Sequence, residues 1–148
     1  MMRVAEPSDF QAVCVLLRLM HAEVGVLAVD EQKAQETVRA IIESRQCLVC
    51  EQDGQIIASL GLKFGEPFWY SSDKGLVDTW FFIHPDHRGS NCAQDLILTA
   101  KRMARIADVP LWVGVSSVKK TVRKMLFLEK YMVPFGGIFY YLPEKDAA

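Results

Sequence analysis

A short turn in the second half of the chain contains residue types that bind anions. It spans residues 84–91, follows an apolar run and includes Arg88, Gly89 and Ser90. Where a turn leads into a helix, unpaired backbone N–H groups and the positive end of the helix dipole attract phosphate groups. Small residues let a ligand approach the backbone, and arginine adds a fixed positive charge. The turn therefore predicts a phosphate site, although glycine and serine also begin ordinary helices.

A single carboxylate interrupts the apolar run before this turn. Asp78 is the acid of the segment GLVDTWFFIHP. Burial among apolar residues would raise its pKa and make it a candidate general base. The alternative is that Asp78 lies at the solvent end of its strand or pairs with Lys74. His84 and His87 flank the turn, and we interpret both as turn residues.

The cysteines do not predict a metal site or a disulfide framework. Cys14, Cys47, Cys50 and Cys92 occur without an N-terminal signal sequence, so we expect them to be reduced. The Cys47-x-x-Cys50 pair lies in an apparent strand, where positions three apart point to opposite faces. We therefore interpret that pair as structural and expect no metal.

Hydrophobic periodicity predicts the elements that would position these groups. Residues 9–20 form a helix with Ser8 as N-cap, and Asp30 begins a second helix near 31–44. The remaining elements are a hairpin turning at Asp53-Gly54, a central strand from Gly75 to Pro85, a helix ending near Ala107, a short strand LWVGV, a basic helix from Ser117 to about Lys130, and a closing hairpin in MVPFGGIFYYL. A strand, helix, strand order of this length implies parallel pairing. The pattern predicts one α/β domain over residues 1–148.

Composition and charge exclude several functional classes. The 148 residues are 51% hydrophobic and 24% charged, which is typical of a globular domain. Seventeen basic and eighteen acidic residues give a net charge of −1. No nucleic-acid role is expected from that balance. No run is long and apolar enough for a membrane, and we expect a cytoplasmic protein.

The turn resembles motif A of the GNAT-type N-acetyltransferase superfamily. That motif has an apolar strand, then V-x-P-x-x-R-G-x-G-x-G/A, then an amphipathic helix, and Ile83, Pro85, Arg88, Gly89 and Ala93 match it. The order of elements is similar over nearly the whole chain. The resemblance implies a GNAT-like α+β fold. Its single mixed, mostly antiparallel sheet would have six to seven strands, splayed at the centre and flanked by about four helices.

The resemblance also implies where acetyl-CoA binds. Backbone N–H groups of the turn would hold its pyrophosphate, and the main chain near Phe82 and Ile83 would pair with the pantetheine arm. The residues implied for the pyrophosphate are Arg88, Gly89, Ser90, Asn91, Cys92 and Ala93. Asn91 stands where the family usually has glycine. Because asparagine tolerates positive φ better than other residues, the loop could keep its shape.

The catalytic groups depart from the family pattern. A tyrosine usually supplies a proton to the leaving thiolate, but Phe127 occupies the matching position and has no proton to donate. Tyr131, Ser116 or Ser117 would have to substitute. Asp78 lies close to where some family members have a catalytic glutamate, so we take it as the candidate base.

The sequence thus predicts an acetyl-CoA-dependent enzyme acting on an unidentified primary amine of a small molecule or protein. The alternatives are a GNAT-fold module that binds acyl-CoA or a protein without turnover, and an interaction protein that binds no nucleotide.

The basic run Lys119 to Lys124 is either a solvated face or attracts the 3′-phosphate of CoA. Aromatic residues in Glu66 to Tyr70 either line an acceptor pocket or cover the core. Exposed aromatics are also compatible with a homodimer.

Overall fold

The structure is a computed structural model that describes residues 1–115, 120–139 and 141–143. Its elements follow the predicted order. The strands are β1 (Met2–Val4), β2 (Cys47–Gln52), β3 (Gln55–Gly65), β4 (Gly75–Ile83) and β5 (Leu111–Trp112). The helices are α1 (Phe10–Val24), α2 (Glu31–Glu43), α3 (Cys92–Ala107) and α4 (Thr121–Glu129), with 3-10 turns at Pro7–Asp9 and Pro85–His87.

The strands form one mixed sheet in chain order. Neighbouring strands from β1 to β4 pair antiparallel, and β4 pairs parallel with β5. The chain connects this parallel pair through α3, as the strand, helix, strand pattern predicts. The mostly antiparallel α+β class with four helices is therefore confirmed.

The strand count differs from the prediction, because five strands rather than six to seven are present among the described residues. In residues 131–143, no described residue lies in a strand, and Val133, Ile138 and Phe139 are more than nine-tenths exposed. A hairpin is marginal in water without a neighbouring strand. Because β5 has only two paired residues, it offers the closing hairpin little edge on which to form.

Two helix starts also differ from the prediction. The first turn is capped by Glu6 rather than Ser8, because the Asp9 carboxylate accepts a hydrogen bond from the Glu6 backbone N–H at 2.7 Å. This reciprocal arrangement is a capping box. Lys120 has a left-handed backbone with φ of 55°. A right-handed helix cannot include it, so α4 begins at Thr121 and not near Ser117.

Helices cover both faces of the sheet. One core cluster joins α1 and α2 to one face, and the other joins α3 to the opposite face. Cys47 lies in the first cluster and Cys50 in the second, as the spacing predicts for a strand. Burial raises the pKa of the Cys47 thiol to about 11 and that of Cys50 to about 12. Both cysteines are therefore packing residues of the core.

β4 contains one more residue than the part of β3 that it faces. Trp80 lies opposite Gly61, while Asp78 lies opposite the next residue of β3, so Thr79 has no partner there. Such a β-bulge shifts the alternation of side chains. Leu76 packs beneath α3, whereas Trp80, four residues later, packs beneath α1 and α2. Without the extra residue, both side chains would point to one face.

The Trp80 indole is locked in this orientation. Its Nε1 donates to the Ser59 hydroxyl at 2.9 Å, and that hydroxyl donates to the Leu48 carbonyl oxygen at 2.9 Å. All three residues are buried, so the polar atoms need these partners. Gly61 leaves room for the ring, because a Cβ there would lie 2.5 Å from Trp80 Cζ2.

We predict that Gly61→Ala lowers the free energy of unfolding by about 1–3 kcal/mol, the usual cost of overpacking a core. Gly65→Ala is the matched control on the same strand, because a Cβ there meets nothing within 4 Å. Urea denaturation of both variants measures the difference. An equal effect of the two substitutions would show that the indole does not need Gly61.

Candidate active site

The pairing between strands β4 and β5 is short. They pair only at Leu76 with Leu111 and at Val77 with Trp112. From Asp78 to Ile83, the described part of β4 pairs with β3 alone. The five steps from Asp78 to Ile83 correspond to about 17 Å of strand. Among the described residues, this edge of β4 therefore has no strand partner over that length, as expected for a splayed sheet, and we call the space beside it the gap.

Asp78 lies where this gap begins. Its Oδ1 accepts a hydrogen bond from the Gly114 backbone N–H at 3.1 Å, so the side chain bridges β4 to the segment after β5. Burial raises the pKa of Asp78 above its ordinary value, and hydrogen bonds from the Gly114 and Asp78 backbone N–H groups partly oppose that rise. Lys74 pairs instead with Glu66 at 3.1 Å. The proposed Lys74–Asp78 pairing is therefore not formed.

The anion-binding turn lies at the far end of the same strand. Gly89 has a φ of +100°, a conformation that suits glycine, and a Cβ there would meet nothing within 4 Å. Asn91 has a φ of −80° and is the N-cap of α3. Asn91 therefore does not use the positive φ that asparagine tolerates, because Gly89 already makes the left-handed turn and the helix begins directly after Asn91.

The start of α3 presents backbone donors to the turn. The first backbone bond of the helix runs from Asp95 N–H to the Asn91 carbonyl oxygen at 3.0 Å. The N–H groups of Cys92 and Ala93 precede that bond, as in the first turn of any α-helix. Cys92 N–H makes a long hydrogen bond of 3.4 Å to the Ser90 hydroxyl. These donors and the helix dipole favour an anion at this position.

The Arg88 side chain folds back onto the end of β4. Its Nε donates to the Ile83 carbonyl oxygen at 3.3 Å, and the guanidinium carbon lies 5.4 Å from the centre of the Phe82 ring. One Nη atom also donates to Glu23 Oε2 on α1 at 2.7 Å. The structure thus brings the predicted residues Phe82, Ile83 and Arg88 together.

The side chains of the two histidines stabilise the conformation of the turn. His84 Nδ1 accepts a hydrogen bond from the Asp86 backbone N–H at 3.1 Å, and its ring packs on that of His87 at 5.6 Å. These contacts fix the 3-10 turn and agree with our interpretation of both as turn residues.

Tyr131, one of the candidate proton donors, makes no hydrogen bond to Asp78 in the described part of the chain. The Tyr131 ring packs on Phe127 at 5.3 Å, and its carbonyl oxygen accepts from Lys101 Nζ on α3 at 2.8 Å. Among the described residues, neither Asp78 nor Gly114 is a hydrogen-bond partner of Tyr131. Ser116, the other predicted donor, lies outside the described residues, as do Ser117 and Lys119.

Lys124 of α4 approaches the turn. Burial lowers the pKa of its ammonium group, and repulsion from Arg88 lowers it further, while Glu23 opposes these effects. Within the described part of the predicted basic run, Lys124 is thus close enough to Arg88 to be repelled by it. This cation therefore adds to the positive charge near the turn.

Two pockets lie next to these elements. The larger, of about 430 Å³, lies between α2, the end of β3 and the middle of β4, and Thr37, Lys63, Phe64 and Thr79 are among its walls. Thr79 is the bulge residue beside Asp78.

The second pocket, of about 190 Å³, is lined by aromatic residues that include Phe68 and Trp112. Phe68 packs edge-on against Trp112 at 4.9 Å, whereas Trp69 is 95% exposed. The aromatic loop therefore both covers part of the fold and lines a pocket.

Sequence reasoning missed three features of this region. It did not connect Glu23 with Arg88 or Gly114 with Asp78, and it did not place a bulge at Thr79. The bulge and the Gly114 contact depend on how neighbouring strands are aligned, and the Glu23 contact depends on how α1 packs against the sheet. No local motif in the sequence marks them.

Two further findings concern only the ranges that the structure describes. No three side chains of His, Cys, Asp or Glu are grouped so that they could hold a metal ion. No helix has both the length and the apolar character that a bilayer span requires.

Known proteins resemble the chain in structure rather than in sequence. The sequence matches no protein-family model, and no curated protein matches it. Ribosomal-protein-alanine N-acetyltransferase from Brucella melitensis biovar Abortus 2308 has a TM-score of 0.69 at 16% identity, with 96% of each chain covered. A GCN5-related N-acetyltransferase from Ralstonia eutropha JMP134 has a TM-score of 0.72 at 16% identity, covering 96% of this chain and 97% of that one.

A third structure was solved with a ligand. AAC(6')-Iy, in complex with the bisubstrate analog CoA-S-monomethyl-acetylneamine, has a TM-score of 0.73 at 12% identity, with 96% of each chain covered. The fold of the present chain is therefore that of the GNAT-type N-acetyltransferases, which confirms the resemblance noted at the turn. Identities of 12% to 16% establish the fold and leave the acceptor undefined.

We predict that Asp78→Asn does not lower stability near pH 7. The raised pKa of Asp78 means that the folded protein binds more protons than the unfolded chain above pH 3.8, so this group's contribution to stability falls as pH rises through the folded-state pKa. Asparagine removes the buried charge, while its amide oxygen still accepts from Gly114 N–H. Urea denaturation near pH 4 and near pH 7 compares the two proteins. A loss above about 1 kcal/mol near pH 7 would mean that the ionised carboxylate is stabilising.

Proposed function

We propose that this protein transfers an acetyl group from acetyl-CoA to a primary amine. One arrangement carries the proposal: a turn suited to binding an anion and a half-buried carboxylate lie at the two ends of the open edge of β4. The likeness to solved acetyltransferases supports an acyl-transfer function. The cytoplasmic location expected from the sequence stays a prediction.

The turn has the features that the phosphates of CoA require. Gly89 makes the turn with open space in place of a side chain, so a pyrophosphate can approach the backbone. The N–H groups from Arg88 to Ala93, through Ser90, Asn91 and Cys92, would be the donors. Arg88 supplies the fixed charge, and Lys124 adds a second cation close to it.

The edge of β4 suits the extended arm of CoA. Phe82 and Ile83 pair with β3 on one side, and no described strand pairs with them on the other. Backbone groups at this edge can therefore hydrogen-bond to the amide groups of pantetheine, just as the edge strand of a sheet hydrogen-bonds to an extended peptide. Arg88 Nε already donates to the Ile83 carbonyl oxygen, whose second lone pair is still available.

The bound acetyl-CoA supplies a thioester, with which an amine forms a C–N bond while the C–S bond breaks and CoA thiol leaves. An alkylammonium of pKa about 10.4 is only about one part in two thousand neutral at pH 7, so removal of its proton must be assisted. Asp78 would accept that proton, because its burial raises the pKa toward the range of a useful base.

The leaving thiolate takes a proton from an acid of the protein, and the second proton lost by the amine restores that acid. Tyr131 and Ser116 are the candidate donors in this chain, since the phenyl ring of Phe127 has no acidic proton. Tyr131 packs against Phe127, so a small movement of α4 would change the positions of both rings together.

The acceptor is proposed to reach Asp78 through the 430 Å³ pocket, whose wall includes the neighbouring Thr79. Two of the solved acetyltransferases that share this fold are named for an alanine of a ribosomal protein and for aminoglycosides. These names support a primary amine as the acceptor and leave both small molecules and proteins open.

A second candidate is a module that binds acyl-CoA or a protein partner without turnover. Phe127 favours this candidate, because it stands where the family usually has a proton-donating tyrosine. In the described part of the chain, Tyr131 packs against Phe127 and makes no hydrogen bond to Asp78.

Calorimetric titration with acetyl-CoA, and separately with CoA, tests the cofactor. We expect saturable micromolar binding that Gly89→Glu abolishes, because a carboxylate would enter the anion site and strain a residue at positive φ. Gly54→Glu is the matched control, since Gly54 also has positive φ and open space but lies in the β2–β3 turn. Absence of binding in the native protein, or equal loss in both variants, would reject the cofactor assignment.

Measuring acetylation rates with a panel of amines distinguishes an enzyme from a module that binds the cofactor without turnover. We expect Asp78→Asn to lower the rate by roughly a hundredfold or more while leaving acetyl-CoA affinity nearly unchanged. Tyr131→Phe is expected to slow turnover if Tyr131 is the acid, and equal activity would transfer that role to Ser116 or solvent. Binding without product across the panel would favour the module, and an unchanged rate in Asp78→Asn would remove that residue from the mechanism.

A further inference from the structure

The cation of the phosphate-binding turn already has an anionic partner within the chain. An Arg88 Nη atom lies 2.7 Å from Glu23 Oε2, although the two residues are 65 positions apart. The Glu23 side chain is only 14% exposed, and that of Arg88 is 37% exposed. An ion pair this short and partly shielded from water is stronger than an ordinary surface pair.

The other contacts of Arg88 are local to the turn. The Ile83 carbonyl oxygen accepts from Nε, and the Phe82 ring packs beneath the guanidinium. These two contacts orient the side chain without help from α1. Glu23 is therefore not required to aim Arg88 at the turn, and its main effect there is to neutralise positive charge.

From these contacts we infer that Glu23 competes with the phosphates of the cofactor for the Arg88 guanidinium. The inference rests on the proposed function, because it assumes that the turn binds the pyrophosphate of CoA. Binding of the pyrophosphate displaces the carboxylate, so Glu23 lowers cofactor affinity. Lys124, whose ammonium group interacts with both Glu23 and Arg88, is a described cation that remains available to the displaced carboxylate.

Glu23→Gln tests the competition because glutamine keeps the length of the side chain and removes its charge. We expect calorimetry to show roughly three- to tenfold tighter binding of CoA, and a gain that shrinks as salt is added. If Glu23 instead holds Arg88 in place, the same substitution weakens CoA binding. Weaker binding would therefore overturn the inference.

The matched control is Glu31→Gln. Glu31 pairs with Arg18 at 3.2 Å on an exposed surface, so this variant makes the same change in net charge at an ion pair elsewhere. A second variant, Glu23→Asp, retains the charge but shortens the side chain by one methylene. We expect a smaller gain than for glutamine, and Glu23→Asp keeps the comparison valid if Glu23→Gln folds poorly.

Two probes locate the effect. Inorganic pyrophosphate has the charges without the rest of CoA and should gain affinity in Glu23→Gln, whereas pantetheine has no phosphate and should not. If native protein binds CoA but Glu23→Gln matches Glu31→Gln, the role of Glu23 is wrong and the proposed function stands. If no variant binds CoA or pyrophosphate, the proposed function is wrong and the competition is rejected with it.

Discussion

The packing of Trp80 over Gly61 is the contact on which the geometry of the site depends. The indole occupies the space that a side chain at Gly61 would take, and its hydrogen bond to Ser59 fixes the ring. Trp80 can reach this place only because Thr79 is an extra residue in β4. The same extra residue sets the orientation of Asp78 one step earlier. A core contact thus determines which groups β4 presents beside the gap.

One strand therefore positions two kinds of chemistry. At its end, the backbone passes directly into a turn where Gly89 and the start of α3 expose hydrogen-bond donors. Near its beginning, Asp78 lies in surroundings that disfavour its charge. The rigid spacing between these points is that of a β-strand and does not depend on loop conformation. The distance between the turn and the carboxylate is therefore set by the strand, and changes in the surrounding loops leave it unaltered.

The sequence predicts those parts of the structure that are determined locally. The side chain of Asp30 caps α2 as expected, and the Asp53-Gly54 turn adopts positive φ at both positions. The glycine turn before α3 was also recognisable, because helix starts and glycine have local signatures, while anion binding by this turn stays a prediction. The bulge at Thr79 and the Glu23 contact to Arg88 were not predictable. They depend on strand register and on the docking of α1, which are set by packing across the whole fold.

The short pairing of β5 has a consequence for local stability. The other neighbouring strands pair over three or more residues, whereas β5 is fastened to β4 by two residue pairs and by the Asp78 to Gly114 hydrogen bond. Segments with so few backbone bonds open at a small free-energy cost without unfolding the rest of a domain. Amide protons of residues 113–115 are therefore expected to exchange with solvent sooner than those of β2 and β3. This segment, which forms one wall of the gap, therefore opens locally while the rest of the sheet stays paired.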